Sequence, residues 1–310
     1  MNSYYYSFSR YLKNRFGGRV HRLSLDGGFG CPNIDGTFSN KGCVFCNNRA
    51  FSYFSRHDNI SLEKQIASSM SYNRRRFEAQ KFIAYFQGFT STYGDKELLS
   101  RQYNVIRKFD DIVGIAVSTR PDCIDEEKLG IIESFTDKYE VYIEYGLQSA
   151  HDKTLKAINR NHTFADFKKA VDMTHKKRNI HISAHIILGL PGESKEDMLD
   201  TAKTISAMPL WGIKFHCLHV LRDTTLDRMY NKGGVRLLSE DEYIDILISF
   251  LEVIPPDYVI LRLVSDADKD LLVAPEWMSR KQMVLRKIEN EFKMRKTCQG
   301  RLYESTCYKS

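Results

Sequence analysis

The sequence predicts an α/β fold in which parallel strands, each followed by a helix, wind into a full or partial barrel. Six apolar runs typical of strands alternate with helix-forming segments, with one strand about every 25 to 40 residues. Polar and glycine-bearing residues follow these runs where each strand ends. Since right-handed crossovers bring the carboxyl ends of parallel strands to one edge, the pattern predicts a site at that edge.

The elements are predicted in chain order from the spacing of apolar residues and from capping residues. Segment 4–16 mixes aromatic and basic residues in a short helix, whose rings either pack on the core or stack on single-stranded nucleic acid. The strands are predicted at 19–26, 81–87, 112–118, 141–148, 181–189 and 213–221. The helices between them are predicted at 60–76, 95–109, 125–136, 163–178 and 194–206.

The alternation weakens beyond residue 225. The last part predicts a helix at 239–254, a strand at 259–266 and a basic helix at 279–296. In the basic helix, apolar residues recur at helical spacing on a face that packs inward, at Val284, Ile288 and Phe292. Because no linker interrupts the chain, we expect one domain with an N-terminal segment 1–18, a barrel 19–225 and a C-terminal α/β extension 226–310.

Composition and charge predict a cytoplasmic protein with an anionic partner. Of the 310 residues, 42% are hydrophobic and 27% are charged, and no apolar run is long enough for a membrane span or a signal peptide. The net charge of +7 lies at the ends: five Lys or Arg against one Asp in 1–30, and ten against six acidic residues in 267–310, so each end is +4. This favours nucleic acid as the partner, and a solvated basic surface is the alternative.

Three cysteines predict the chemistry. Cys31, Cys43 and Cys46 lie in the turn-rich stretch CPNIDGTFSNKGCVFC. Three thiolates can hold an iron–sulfur cubane with one iron open, whereas a structural zinc ion needs a fourth ligand, such as His57. A redox dithiol and ordinary buried cysteines stay open on spacing alone. The other cysteines, Cys123, Cys217, Cys298 and Cys307, stand singly in the sequence.

Five strand ends are expected to converge on the cysteine loop, which favours a catalytic metal over a structural zinc. They are the cysteine loop itself, Gln87-Gly88, Ser118-Thr119-Arg120, Gln148-Ser149 and the turn at 189–193. With these residues in place, the chain resembles the radical S-adenosylmethionine (SAM) superfamily, and within it the small branch related to the Elongator catalytic subunit. The superfamily's commonest spacing is Cys-x3-Cys-x2-Cys, whereas eleven residues separate Cys31 from Cys43 here. The Elongator-like branch has a similar CPN-DGT-(loop)-GC-FC pattern, and EYGLQS and GLPGE add to a resemblance that covers nearly the whole chain.

The resemblance implies a partial (β/α)6 radical SAM barrel and a SAM-cleaving enzyme. By that likeness Cys31, Cys43 and Cys46 hold a [4Fe-4S] cluster, whose fourth iron binds the amino and carboxylate groups of SAM. One electron then cleaves SAM to methionine and a 5′-deoxyadenosyl radical that abstracts hydrogen from the substrate, so no side chain is assigned as catalytic. A reducing electron donor such as flavodoxin or ferredoxin is implied as well.

The resemblance also implies a set of cofactor-binding residues, namely Gln87, Gly88, Thr90, Gln148, Arg160 and His185. The first three stand at a Gly-Gly-Glu element that here lacks its first Gly and its Glu. The others fall where coproporphyrinogen-type enzymes contact SAM, with Arg160 suited to the methionine carboxylate. His185 replaces an acidic residue, so a ribose contact and a satisfied core histidine both stay open, as does the role of Glu144.

Three functions follow as hypotheses. The first is a tRNA enzyme that converts a carboxymethylaminomethyl-type wobble uridine side chain toward the aminomethyl form, as the Elongator-like branch and the basic ends imply. The second is a radical SAM enzyme that acts on a small metabolite. The third is a zinc- or RNA-binding module without catalysis, for which a site at five strand ends would serve no purpose.

Overall fold

The computed structural model describes residues 4–47, 60–266 and 268–304, and within these ranges seven parallel strands form one curled sheet. The strands are β1 (Val20–Leu25), β2 (Lys81–Phe86), β3 (Ile112–Thr119), β4 (Glu140–Gln148), β5 (Ile180–Leu188), β6 (Gly212–Cys217) and β8 (Val259–Arg262). They pair in sequence order from β1 to β6, and β8 pairs with β6. A separate antiparallel pair joins β7 (Val220–Leu221) to β9 (Leu272–Ala274).

The predicted partial barrel is confirmed, with one strand more than the six expected from the alternation. The seventh, β8, comes from the segment assigned to the C-terminal extension, where a strand was predicted at 259–266. Because β8 lies at the edge opposite β1 in the order of strands, the sheet has the open form of a half-barrel. The three-part division at residues 18 and 225 stays a prediction.

Ten α-helices lie within the described ranges, and two short ones were not expected. They are α1 (Phe8–Phe16), α2 (Leu62–Phe77), α3 (Lys96–Asn104), α4 (Glu126–Glu133), α5 (Asp152–Ala157), α6 (Phe164–His175), α7 (Lys195–Ser206), α8 (Thr225–Asn231), α9 (Glu240–Val253) and α10 (Lys281–Arg295). The unexpected helices are α5 and α8, each a turn or two long. Capping boxes at Thr163, Ser194 and Ser239 begin α6, α7 and α9 by satisfying backbone N–H groups that have no partner within the helix.

Helix α1 covers the amino-terminal end of the barrel. Its Phe8 ring contacts the edges of Tyr142 and Trp211, with centroid distances of 5.7 and 5.9 Å. Ahead of the helix, Tyr4 stacks on Phe292 of α10 at 5.4 Å. These N-terminal aromatic side chains therefore pack on the core, which was one of their two expected roles.

The basic helix α10 packs as predicted, because Val284, Ile288 and Phe292 are fully buried. Arg286 and Lys293 lie exposed on its other face. In the described part of the chain no helix is both long and apolar enough to cross a membrane. Of the positions named above, His57 and Cys307 lie outside the described residues.

Candidate functional site

The cysteine loop lies at the carboxyl end of the sheet, directly after β1, and its three cysteines line one cavity. The Cys46 N–H donates to the Cys43 carbonyl at 3.0 Å, which forms the tight turn expected of a Cys-x-x-Cys pair. The loop turns at Gly36 and Gly42, whose positive φ angles of 93° and 68° suit glycine. Burial, together with the nearby Cys43 and Cys31 thiols, raises the pKa of the Cys46 thiol. The three sulfurs are therefore neighbours inside the cavity.

Asparagine side chains hold this loop against the segment that carries Arg160. Asn33 Nδ2 donates to the Asn159 carbonyl at 2.6 Å, and Asn159 Nδ2 donates to the Gly42 carbonyl at 2.6 Å. Asn161 Nδ2 donates to Asn33 Oδ1 at 2.9 Å. Asn159 and Asn161 both have a φ of 54°, a left-handed conformation that asparagine tolerates better than most residues. The sequence INRNH thus fixes Arg160 between two such residues.

Arg160 is buried next to the cysteines. Its Nη1 lies 3.5 Å from Cys43 Sγ, Nη2 donates to the Gly146 carbonyl at 2.9 Å, and Nε donates to His162 Nε2 at 2.9 Å. Burial and the Arg160 charge lower the pKa of His162 to about 2, so the imidazole is neutral and can accept this bond. Within the described residues no carboxylate pairs with Arg160, so its positive charge remains available to an anionic group in the cavity.

Gly146 is close to this guanidinium for a steric reason. A Cβ atom there would lie 2.5 Å from Arg160 Nη2 and 2.7 Å from Gln148 Nε2, so the glycine leaves the space in which both side chains reach the cavity. Gln148 itself has a φ of 77°, a strained value for its residue type. A strained backbone at the end of β4 thus directs Gln148 to the site.

Of the nine residues predicted for the cluster and SAM, all but Gly88 line the cavity. Gly88 packs on Asp26, where an added Cβ would lie 3.1 Å from the carboxyl carbon. Thr90 is buried, and its N–H donates to the Gly30 carbonyl at 3.1 Å. The strand ends therefore converge as expected, whereas contact of each side chain with SAM stays a prediction.

His185 and Glu144 belong to a buried polar network inside the barrel. His185 Nε2 lies 2.7 Å from Glu144 Oε2, which also accepts hydrogen bonds from Tyr85 at 3.0 Å and Lys214 at 2.9 Å. Arg22 Nη1 lies 2.6 Å from the other oxygen, Oε1. Glu144 therefore pairs with these groups and not with Arg160. His185 has a structural partner and still lines the cavity.

Sequence reasoning missed several cavity residues, among them Arg120, Lys214 and His216. Arg120 is almost fully buried and forms two hydrogen bonds with Asp122, at 2.9 and 2.7 Å, while its Nη1 has no partner. Its place at the end of β3 was a usable signal. Lys214 and His216 lie within an apolar strand, and a single charged residue there gives no sign of the wall it faces.

Comparisons with known proteins agree with this geometry. The Radical SAM superfamily profile matches residues 33–205, and the Radical_SAM C-terminal domain profile matches residues 210–294. The chain belongs to the radical SAM superfamily. "Uncharacterized protein YtqA" of Bacillus subtilis is 34% identical over 300 residues, which cover 97% of this chain and 93% of that protein.

Two further similarities concern proteins that are more distant. The tRNA uridine(34) acetyltransferase of Methanocaldococcus infernus is 29% identical over 150 residues, 47% of this chain and 27% of that protein. The solved structure of the archaeal Elp3 from the same organism superposes with a TM-score of 0.64 at 17% identity, covering 88% of this chain and 63% of that one. This structural likeness supports the fold.

Family membership makes the protein a radical SAM enzyme, with a [4Fe-4S] cluster and SAM as cofactors. Among the described residues, no three Cys, His, Asp or Glu side chains converge on a single metal ion. This fits a cubane, because its three cysteines bond three different irons and their sulfurs stand farther apart than the ligands of one ion. When bound, the cluster and SAM supply a 5′-deoxyadenosyl radical.

The radical SAM site offers each part of these cofactors a chemically suitable group. The three thiols would hold the cluster, and the Arg160 guanidinium would hold the methionine carboxylate of SAM. Around them, Ile187, Leu218 and Phe45 contribute apolar walls that exclude water from the cavity. The protein thus binds, orients and shields, while the difficult chemistry belongs to the cofactor.

We expect Arg160→Lys to weaken SAM binding about tenfold, equivalent to about 1.4 kcal/mol, without changing iron content. Lysine keeps the charge but cannot contact Gly146, His162 and a carboxylate with one rigid fork. Equilibrium binding of SAM to the reconstituted enzyme measures the effect, and Arg178→Lys on the exposed surface is the matched control. Unchanged affinity would show that Arg160 orders the cysteine loop and does not bind SAM.

Proposed function

We propose that this radical SAM enzyme modifies tRNA, and that it converts a carboxymethylaminomethyl-type side chain of the wobble uridine toward the aminomethyl form. The observation that carries the proposal is the basic outer face of α10, on a chain whose fold is like that of archaeal Elp3. The sequence similarity to a tRNA uridine(34) acetyltransferase supports the same class of substrate.

The charge on α10 is divided into paired and free groups. Lys281 Nζ lies 2.6 Å from Asp266 Oδ1, and Lys287 Nζ lies 3.0 Å from Glu240 Oε2, so these two cations are partly neutralised. Arg280, Arg286 and Lys293 make no ion pair with the described residues and are exposed. Free surface cations are the groups that exchange counterions for the phosphates of a nucleic acid.

Replacing Arg280, Arg286 and Lys293 together by Glu is therefore expected to weaken tRNA binding at least about tenfold, because each phosphate contact contributes counterion release. The salt dependence of binding should become less steep by about one log unit per lost contact. Binding is measured by fluorescence anisotropy over a range of salt concentrations. SAM cleavage without substrate should stay unchanged, since these residues lie outside the cavity.

The matched control reverses three exposed lysines on other helices, Lys168, Lys169 and Lys203, which gives the same change in net charge. Equal losses in both triple variants would mean that tRNA senses only total charge. The substrate itself is tested by mass spectrometry of nucleosides from the tRNA of a deletion strain. Normal nucleosides there, combined with no specific tRNA binding, would favour a small metabolite as substrate.

A further inference from the structure

The interior of the half-barrel holds more positive than negative charge. Three strands contribute a cation each: Arg22 on β1, Lys214 on β6 and Arg262 on β8. Among the described residues, Glu144 is the only carboxylate that contacts any of these three side chains. One carboxylate therefore faces three cations.

Glu144 has no capacity left for Arg262. Its Oε1 pairs with Arg22, and its Oε2 accepts from Lys214 and Tyr85 and contacts His185. The guanidinium of Arg262 contacts neutral acceptors instead: Nη2 lies 2.7 Å from His216 Nδ1, and Nε lies 3.5 Å from the Phe215 carbonyl. Arg22 also has two buried nitrogens, Nε and Nη2, without a hydrogen-bond partner.

The titration of the surrounding groups preserves this excess. Burial, followed by the Arg262 charge, lowers the pKa of His216 well below its usual range, so His216 carries no charge near neutrality. Burial and the Lys214 charge lower the pKa of His185 to about 4, with the same consequence. Burial likewise lowers the pKa of Lys214 to about 7, against the opposing effect of Glu144. Near neutral pH the cluster is thus between +1 and +2.

The excess charge faces the cavity that contains the cysteines. Lys214, His216, His185 and Tyr85 line that cavity on the β2, β5 and β6 walls. On the other side, Arg22 and Arg262 line a groove between the edge strands β1 and β8. The described lining of this groove includes Lys13, Arg19 and Lys281 and no acidic side chain. A negatively charged group can therefore be attracted from the open side of the half-barrel toward the reaction site.

A buried cation without a counterion is costly, and a ligand oxyanion removes that cost. We propose that Lys214 and Arg262 form an oxyanion subsite in the barrel interior, which binds a carboxylate or phosphate group of the substrate next to the SAM cavity. The ammonium provides a compact charge, and the guanidinium can hold two oxygens at once. The identity of the substrate as tRNA rests on the proposed function, whereas the subsite does not.

The first experiment tests the subsite with small anions. Thermal unfolding of the reconstituted enzyme, with SAM bound to occupy the open iron, is followed at pH 6.5 in acetate, inorganic phosphate or chloride at equal ionic strength. Wild type should gain a few degrees in acetate or phosphate relative to chloride, because a ligand of the folded state stabilises it. Lys214→Met and Arg262→Met should lose this gain, whereas Lys203→Met on the exposed face of α7 should retain it.

The second experiment identifies the source of the anion. Precursor tRNA from a deletion strain is bound to the enzyme before and after methyl esterification of its side-chain carboxylates, which leaves the backbone phosphates unchanged. If the carboxylate occupies the subsite, wild type should bind the acid about 10- to 100-fold more tightly than the ester, and Lys214→Met should bind both alike. If a phosphate occupies it, wild type should bind both alike and the variant should weaken both.

The outcomes separate the two proposals. A small-anion response that depends on Lys214 and Arg262, without any tRNA binding, supports the subsite and contradicts the tRNA function. Equal small-anion responses in wild type and both variants overturn the subsite. A Lys214→Met enzyme with weakened SAM binding also overturns it, because the anion would then be the methionine carboxylate of the cofactor. Iron content and circular dichroism of each variant confirm that it is folded.

Discussion

Alanine at Cys31, Cys43 or Cys46 is expected to abolish both the iron–sulfur cluster and the cleavage of SAM. Each thiolate bonds one iron of the cubane, so loss of one ligand leaves an iron without its protein bond. Wild type reconstituted without oxygen should contain about four irons and four sulfides per chain. Each alanine variant should lose the brown absorption of the cluster and produce no 5′-deoxyadenosine above the background without enzyme.

Two other cysteines provide matched controls. Cys217 lines the same cavity but is buried on β6, with its thiol directed to the Leu218 carbonyl at 3.3 Å. Cys298 is exposed, far along the chain beyond α10. Cys217→Ala and Cys298→Ala should both retain iron, sulfide and SAM cleavage. Wild-type protein isolated with stoichiometric zinc, and unable to take up iron, would contradict the assignment of the three cysteines.

The features that could be predicted from sequence are those encoded locally. The cysteine loop depends on turn residues and a short spacing within sixteen consecutive positions, and the alternation of strands and helices predicts the parallel sheet. Polar residues at strand ends identify the edge where the site forms, because parallel strands all end there. Gln87, Gln148 and Arg160 were found by this reasoning and by resemblance, and all three line the cavity.

The features that sequence could not supply depend on contacts between distant strands. Lys214 lies in the strand sequence GIKFHC, and only the curled sheet places its ammonium 2.6 Å from the Tyr85 hydroxyl, across 129 positions of chain. Glu144 was considered as a partner of Arg160, but the register of β4 turns its carboxylate toward Arg22 and Lys214 instead. The strand β8 was expected, yet its pairing with β6 follows from topology, which local patterns do not encode.

Replacement of Glu144 by Gln is expected to cause the largest loss of stability in the barrel interior. Removal of one partner of a buried ion pair leaves uncompensated charges and costs about 3–5 kcal/mol, and here Arg22, Lys214 and Arg262 would be left without a carboxylate. For a domain of this size, the melting temperature should fall by about 10 °C, since each kcal/mol shifts it by about 2–4 °C. Differential scanning calorimetry of the variant measures the change.

The companion variant Glu140→Gln, on the same strand, provides the control. Glu140 pairs with Arg15, whose side chain is 58% exposed, so water can solvate the cation that remains. Its loss should be smaller, about 1–2 kcal/mol, as expected for a hydrogen-bonded charge at a partly exposed site. An equal or larger loss from Glu140→Gln would show that burial of the three interior cations does not determine the cost.

The double variant Glu144→Gln with Lys214→Met then tests the cause. If uncompensated positive charge is responsible, removal of the Lys214 charge should restore part of the lost stability, with a coupling of about 1–3 kcal/mol between two residues in direct contact. The pH dependence gives a second check. Arg22 and Lys214 lower the pKa of Glu144 well below its usual value, so its contribution is present above pH 4.5 and is lost as the pH falls through the folded pKa. Wild type should therefore lose more stability than Glu144→Gln on acidification below pH 4.5, and additive effects together with parallel pH curves would exclude the interior charge imbalance as their cause.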